Sequence, residues 1–308
     1  MKFIAKTPAM LPLGILAALA AATTWATASL MAHRPARELG AIEFTRVQLI
    51  AASCALAVLV TLTSGWALVD GRFAPAIAVS SIFGVVMTNL AMSECLRRGG
   101  PLRTQLLLAL HAPIAGLIAF FALDEMPSRP LIGGAALMLA GVVLATLFGR
   151  RQSSAHHLER VEGSLGLILV FGLSAATSQA IGLVAIKPAM LAGLPPLTAS
   201  ALRILGAAWA LSLITLVPLG RFSGKDCATA AGTLRAIVPG LLGYVVASTL
   251  LLFAVRHGPT AIATSVGASV PVLLLPLQWI VTRQRPPALA WGGAFLVALG
   301  ACTIAAYA

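Results

Sequence analysis

The chain has 308 residues, of which 59% are hydrophobic and 10% are charged, and its mean hydropathy is +0.97. A soluble globular chain is typically about 45–50% apolar and about 25% charged, so this composition excludes a water-soluble globule and leaves no room for a separate soluble domain. The net charge of +12 does not indicate nucleic-acid binding, because the basic residues stand mostly in short gaps between apolar runs. That placement is the orientation signal of membrane proteins.

Ten apolar runs are long enough to cross a bilayer. A hydrocarbon core about 30 Å thick needs about 20 apolar residues in a helix, and these runs lack the alternation of barrel strands. The first run follows Lys2 and Lys6 but is longer than the apolar part of a signal peptide, so we expect it to be retained. The predicted helices are Leu11–Ala32, Phe44–Leu62, Ala74–Met92, Leu102–Leu123, Leu131–Phe148, Leu165–Ile186, Leu197–Leu219, Leu234–Val255, Ala261–Val281 and Ala288–Ala306.

The longest polar stretch, Gly149–Gly163, divides these helices into five and five. We predict a first repeat at residues 1–150, a polar linker at 151–163 and a second repeat at 164–308. The segment Arg98-Gly-Gly-Pro before helix 4 matches Arg256-His-Gly-Pro before helix 9, 158 residues later, and Pro113 matches Pro271 at the same spacing. Because five crossings is an odd number, the second copy enters the membrane from the opposite side. Such inverted repeats are common in secondary transporters, which bind substrate near the midplane between the copies.

The stretch Pro101…Pro113…Leu123-Asp-Glu-Met-Pro127…Gly134…Gly141 resembles the EamA-type family of the drug/metabolite transporter superfamily. Repeats of that family carry a proline inside the fourth helix, a glutamate at its end and a glycine-patterned fifth helix. Trp25 and Arg46 also match family positions. The second copy keeps Pro271 but has Arg283 in place of Glu125, and Thr177 near the place of Trp25.

The resemblance implies a basket of helices 1–4 and 6–9 around a central cavity, with helices 5 and 10 outside it. It also implies transport of amino acids, metabolites or drugs, often outward, and both termini in the cytoplasm. A count of Lys and Arg contradicts this orientation, with 6 on the N-terminal side of the membrane and 13 on the other, when Arg46 and Arg203 are left out as intramembrane. The positive-inside rule then places both termini outside.

His111 is the first candidate for the substrate site. It lies ten residues past Pro101, so at about 1.5 Å per residue it is about 15 Å into the membrane. An imidazole there can bind substrate or relay a proton, and the alternative is a neutral histidine bonded to a neighbouring helix. The further cavity candidates are Trp25, Arg46, Asn89, Gln105, Gln179 and Arg203.

The two arginines among these candidates differ in their sequence neighbours. Arg46 has Glu43 three residues earlier, which favours a local ion pair over a substrate contact, whereas Arg203 has no acid near it in its own helix. Pro113 and Pro271 each remove an intrahelical hydrogen bond, so we interpret them as kinks or gates at matched depths, or as simple curvature.

Other features predict partners and exclude chemistry. Glycines in helices 5 and 10 allow close helix approach, either within the chain or in a homodimer through these two helices.

The four cysteines, Cys54, Cys95, Cys227 and Cys302, form no Cys-x-x-Cys pair and predict neither a metal site nor a disulfide framework. We expect a small-molecule substrate and membrane lipid as partners, no cofactor and no nucleic acid, and a multi-pass location in the inner (plasma) membrane.

The favoured function is therefore a secondary carrier, and we expect an exporter because outward transport is common in the family that the chain resembles. No GxxxxGK[ST] phosphate loop occurs, so transport would be driven by a gradient rather than by ATP hydrolysis in this chain. A membrane-embedded enzyme is the first alternative, but HExxH and GxSxG are both missing, so no catalytic residue is predicted. The second alternative is a receptor or lipid-flipping subunit that does not itself transport.

Overall fold

The computed structural model describes residues 10–123, 129–144, 164–214, 230–283, 285–286 and 288–307. Within these ranges the chain is helical and contains no strand, which confirms the predicted all-α class. The helices are α1 Met10–Leu62, α2 Ala74–Ser81, α3 Thr88–Ala109, α4 His111–Leu123, α5 Arg129–Val143, α6 Leu165–Leu191, α7 Pro196–Ile214, α8 Ala230–Gly240, α9 Ser248–His257, α10 Thr260–Gly267, α11 Val270–Thr282 and α12 Ala288–Tyr307.

Six helical segments of the described chain are long and apolar enough to cross a membrane. Two of them, Pro12–Leu62 and Gly71–Leu123, contain 51 and 53 residues, and α5 and α12 contribute shorter apolar helices. One glycine in each long segment has non-helical backbone angles, Gly40 with φ 75° and ψ 165° and Gly100 with φ 81° and ψ 171°. Glycine has no Cβ and adopts positive φ without strain, so one residue is enough for each break.

These glycines correct two predicted helix ends. The sequence predicted a gap from Ala32 to Phe44, but α1 continues through it with Gly40 as its only non-helical residue. Likewise, the predicted gap after Met92 is helical up to Gly100. A polar residue ends an apolar stretch of the sequence but does not by itself end a helix. The backbone hydrogen bonds of the helix continue until a residue adopts a non-helical φ. Pro101 follows Gly100 at the start of the next turn, where a missing N–H is not needed.

Irregular segments recur at nearly the same spacing in the two halves. A π-helical segment, Ile82–Met87, lies between α2 and α3, and another, Leu241–Ala247, lies between α8 and α9. The break between α3 and α4 at Leu110 corresponds to the break between α10 and α11 at Ala268 and Ser269. Pro113 and Pro271 each lie in the first turn after these breaks, so both prolines occupy positions whose N–H groups would be unpaired in a helix.

The helices α5 and α12 pack against each other. A Cβ on Gly141 of α5 would lie 2.5 Å from the carbonyl oxygen of Gly293 in α12, and a Cβ on Gly300 would collide with the carbonyl oxygen of Gly134. These glycines therefore serve close packing within one chain. Gly133, in contrast, has no atom within 4 Å of its Cβ position.

Candidate substrate cavity

The remaining helices surround a cavity of about 990 Å³, a volume that includes its open mouth. Its walls come from α1, α3 and α4 of the first half, from α6 to α11 of the second half, and from both π-helical segments. No described residue of α5 or α12 lines it, which is the arrangement that the family resemblance implied. Cavities that hold a few polar groups between apolar walls are typical of small-molecule sites.

The cavity brings together six of the seven predicted lining residues, namely Trp25, Asn89, Gln105, His111, Gln179 and Arg203. Arg46 is not among the lining residues. Its guanidinium forms an ion pair with Glu43 at 2.8 Å, and its side chain is 38% exposed. The two predicted gating prolines, Pro113 and Pro271, are also outside the lining, although His111 and Val270 beside them contribute to it.

Several polar lining residues were not predicted from the sequence. They are Ser29, Gln48, Thr88, Thr104, Tyr244 and Ser248. Gln48 could have been found, because an amide inside an apolar run is the same signal that indicated Gln105 and Gln179. Hydroxyl residues carry no such signal, since Ser and Thr bond to their own helix in many membrane spans.

The imidazole of His111 has one partner and one free nitrogen. Its Nδ1 lies 2.7 Å from the carbonyl oxygen of Leu108, so Nδ1 carries the proton of the neutral ring. Nε2 is buried and has no hydrogen-bond partner within the described chain. A neutral His111 therefore presents an acceptor, which suits an N–H or O–H group of a ligand.

Among the described residues that line the cavity, Arg203 is the only Lys or Arg, and none is Asp or Glu. The residue is 2% exposed, and its Nε has no hydrogen-bond partner in the part of the chain described. Arg46, Arg72, Arg97 and Arg98 form ion pairs with nearby carboxylates, whereas no ion pair within the described ranges involves Arg203. A buried guanidinium without an acid leaves a positive charge to be balanced by something else.

Two amides add neutral hydrogen-bonding groups. Asn89 Nδ2 donates to the carbonyl oxygen of Val85 at 2.7 Å, and Gln105 Nε2 donates to Ser29 Oγ at 3.2 Å. Their side-chain oxygens have no partner among the described residues and can accept from a ligand. No group of three His, Cys, Asp or Glu side chains capable of holding a metal occurs within the described ranges.

The π-helical segments place backbone close to this space. Gly84 and Val85 come from the first segment, and Gly243 and Tyr244 come from the second. Such segments are frequent at functional sites, because the extra residue per turn shifts side chains and carbonyls out of the regular helical pattern.

Comparisons with known proteins agree with this architecture. A family model described as the EamA-like transporter family matches residues 12–147 and 165–306, so it covers the chain as two copies. A comparison with curated proteins found no significant match. Among 27 matching chains of solved structures, one crystal structure has a TM-score of 0.70 and 16% sequence identity, and the match covers 94% of this chain and 95% of that one. At this identity the likeness shows a shared fold.

Proposed function

This chain belongs to the EamA-like transporter family, a family of multi-pass membrane transporters and not of enzymes, and we propose that it is a secondary carrier. In this proposal it exports a small metabolite, such as an amino acid or another amphiphilic compound, across the inner (plasma) membrane. The observation that carries the proposal is the cavity between the two halves, which sets His111 of α4 and Arg203 of α7 among apolar walls.

The lengths of the helices support ten crossings. At about 1.5 Å per residue, a straight helix of 51 or 53 residues would be about 75–80 Å long, more than twice the bilayer core of about 30 Å. Breaks at Gly40 and Gly100 divide these two segments into four crossings, and α5 adds a fifth. The second half supplies five more through α6, α7, α8–α9, α10–α11 and α12, which supports an inverted pair of repeats on either side of the predicted 151–163 linker.

The distribution of the lining residues supports alternating access. Because both halves contribute walls, rocking of one half against the other would open the cavity to one side while it closes the other. The breaks at Leu110 and at Ala268, beside Pro113 and Pro271, are positions where helix segments can change direction with little loss of hydrogen bonding. Transport would be driven by a gradient, and His111 is the residue that we propose for proton coupling.

Reconstitution tests this function. The purified full chain in liposomes is expected to release preloaded labelled compounds without added nucleotide, at rates above those of protein-free liposomes. The compounds to load are those whose levels differ between cells with and without the gene in a metabolite-wide comparison. Failure of every such compound to cross would overturn the carrier proposal and favour a receptor or lipid-flipping subunit.

A further inference from the structure

We infer that Arg203 binds the carboxylate of a substrate that carries a single carboxylate and an apolar body. This inference rests on the proposed carrier function, because it assigns a substrate class to the same cavity. Its first support is the charge of the cavity, whose described lining residues include one guanidinium and no carboxylate. A cation that is 2% exposed is stable only when an anion, a carbonyl group or water compensates it.

A comparison of the two halves shows why Arg203 lacks an acid. Arg46 lies six residues after the break at Gly40, and Arg203 lies seven residues after the start of α7 at Pro196. The two arginines are 157 residues apart, close to the repeat spacing of 158. Three residues before Arg46 is Glu43, which pairs with it, whereas three residues before Arg203 is Ser200, which donates to the carbonyl oxygen of Tyr244 at 3.4 Å.

The first half therefore neutralises Arg46 by an internal ion pair, whereas the described residues of the second half contain no acid that could pair with Arg203. Ser200 is fully buried and cannot supply a negative charge. The position that corresponds to Glu43 is therefore occupied by the neutral Ser200. The guanidinium of Arg203 is left for an anion that enters the cavity.

The surroundings of Arg203 favour a carboxylate. Its Nη2 passes beside the lining residue Gly84, where an ideal Cβ would lie 2.7 Å from it. The planar fork of a guanidinium matches the two oxygens of a carboxylate in a bidentate pair. One guanidinium balances one negative charge, so a dianion such as a phosphate monoester would leave a second charge uncompensated between mostly apolar walls.

The rest of the lining specifies the remainder of the ligand. The apolar walls of the cavity include Trp25, Leu108, Ile204 and Val270. The free energy gained when a ligand is buried against such walls increases with the apolar area of the ligand. We therefore expect affinity to rise with the length of the ligand's hydrocarbon chain and to depend on the carboxylate at its end.

Melting of the purified full chain in detergent tests this inference even while the natural substrate is unidentified. The probes are the sodium salts of butanoate, hexanoate and octanoate, each compared with its uncharged amide and with sodium chloride at equal ionic strength. We expect the carboxylates to raise the melting temperature, more with increasing chain length, and to do so more than the amides or chloride. Equal effects of each carboxylate and its amide, or of hexanoate and chloride, would overturn the inference.

Variants connect the effect to Arg203. Arg203→Gln should lower hexanoate affinity roughly ten- to a hundredfold, the range expected for a lost charge-assisted hydrogen bond, and remove the preference over the amide. Arg203→Lys should retain part of the preference for the carboxylate, because the positive charge remains while the planar fork of the guanidinium is lost. Arg72→Gln is the control, since Arg72 is exposed and pairs with Asp70. A folded Arg203→Gln variant that keeps the full preference for carboxylates over amides would refute the assignment. If Arg203→Gln does not fold, the assignment would be refuted by an Arg203→Lys variant with wild-type preference and affinity.

Flux measurements separate this inference from the proposed function. Carboxylate-selective stabilisation without flux of any probe or metabolite would uphold the Arg203 site and overturn the carrier. Flux of a metabolite in a protein that does not distinguish carboxylates from amides would uphold the carrier and overturn the Arg203 site.

Discussion

The backbones of Gly84 and Gly182 are in contact where the first π-helical segment crosses α6. A Cβ on Gly84 would lie 2.8 Å from Gly182 Cα and 2.7 Å from Arg203 Nη2. Ser80 Oγ, one turn earlier, donates to the carbonyl oxygen of Gly182 at 2.6 Å. The two halves thus meet at the cavity wall through backbone atoms, and this contact leaves no room for a side chain beside the guanidinium.

Gly84→Ala is expected to destabilise the protein by about 1–3 kcal/mol, the usual effect of adding a methyl group to a closely packed site, and to reduce flux. Gly243→Ala is the matched control for stability, because Gly243 lies in the second π-helical segment and its Cβ would meet Trp25 Nε1 at an ordinary 3.7 Å. Melting temperature and liposome flux measure the two effects. Equal stability of the two variants would show that the Gly84 contact can relax.

The helices were predictable because apolar length is a direct consequence of bilayer thickness, but their interruptions were not. Ile82–Met87 is as apolar as its neighbours and contains no proline, so nothing in its composition distinguishes a π-helical turn from an α-helical one. That choice depends on what packs against the segment, here Gly182 and Arg203. The gap predicted after Ala32 was too long for a related reason, since polarity ends a membrane run but only Gly40 changes the backbone.

Part of the polar lining of the cavity could be predicted, because a polar side chain inside an apolar run must find a polar environment. This reasoning selected Asn89, Gln105 and Gln179, which line the cavity. It could not decide which face of a helix each residue occupies, and for that reason Arg46 was a candidate together with Arg203. The difference between them depends on tertiary packing, which buries Arg203 and leaves Arg46 beside Glu43 at the surface.

Ser200→Glu is expected to give Arg203 the internal counterion that Arg46 already has. A glutamate three residues before an arginine on a helix can pair with it, so it would compete with an entering carboxylate and remove most of the hexanoate-dependent stabilisation. Ser200→Gln is the control, because it adds the same bulk to this buried position without the charge. Similar losses in the two variants would attribute the effect to crowding rather than to charge.

Gly141→Ala and Gly300→Ala should each destabilise the chain by about 1–3 kcal/mol, because both methyl groups would collide with carbonyl oxygens across the α5–α12 contact. Gly133→Ala should be neutral or slightly stabilising, since its Cβ position is open and alanine favours a helix by about 1 kcal/mol relative to glycine. Thermal melting compares the three variants.

The predicted homodimer through these helices would require Gly133 or another outer residue at its interface, so crosslinking of Gly133→Cys between two chains measures the dimer directly.

His111→Ala is expected to reduce flux at least roughly tenfold, the loss that corresponds to one hydrogen bond at a buried site, while the protein remains folded. His257→Ala is a matched control. His257 makes the same kind of bond from Nδ1 to a carbonyl oxygen of its own helix, that of Phe253 at 2.8 Å, but is not among the residues that line the cavity. Unchanged flux in a folded His111→Ala variant would remove His111 from the proposed mechanism.

Topology reporters placed within residues 151–163 and after Ala308 should report opposite sides of the membrane. This follows from five crossings in the second half, and the Lys and Arg count places the 151–163 segment in the cytoplasm and the end of the chain outside. Because α10 and α11 are separated by a break, a re-entrant arrangement of these two helices would change the parity, and both reporters would then report the same side. Opposite sides with the 151–163 reporter outside would keep the inverted repeat but reverse the orientation, in agreement with the family expectation.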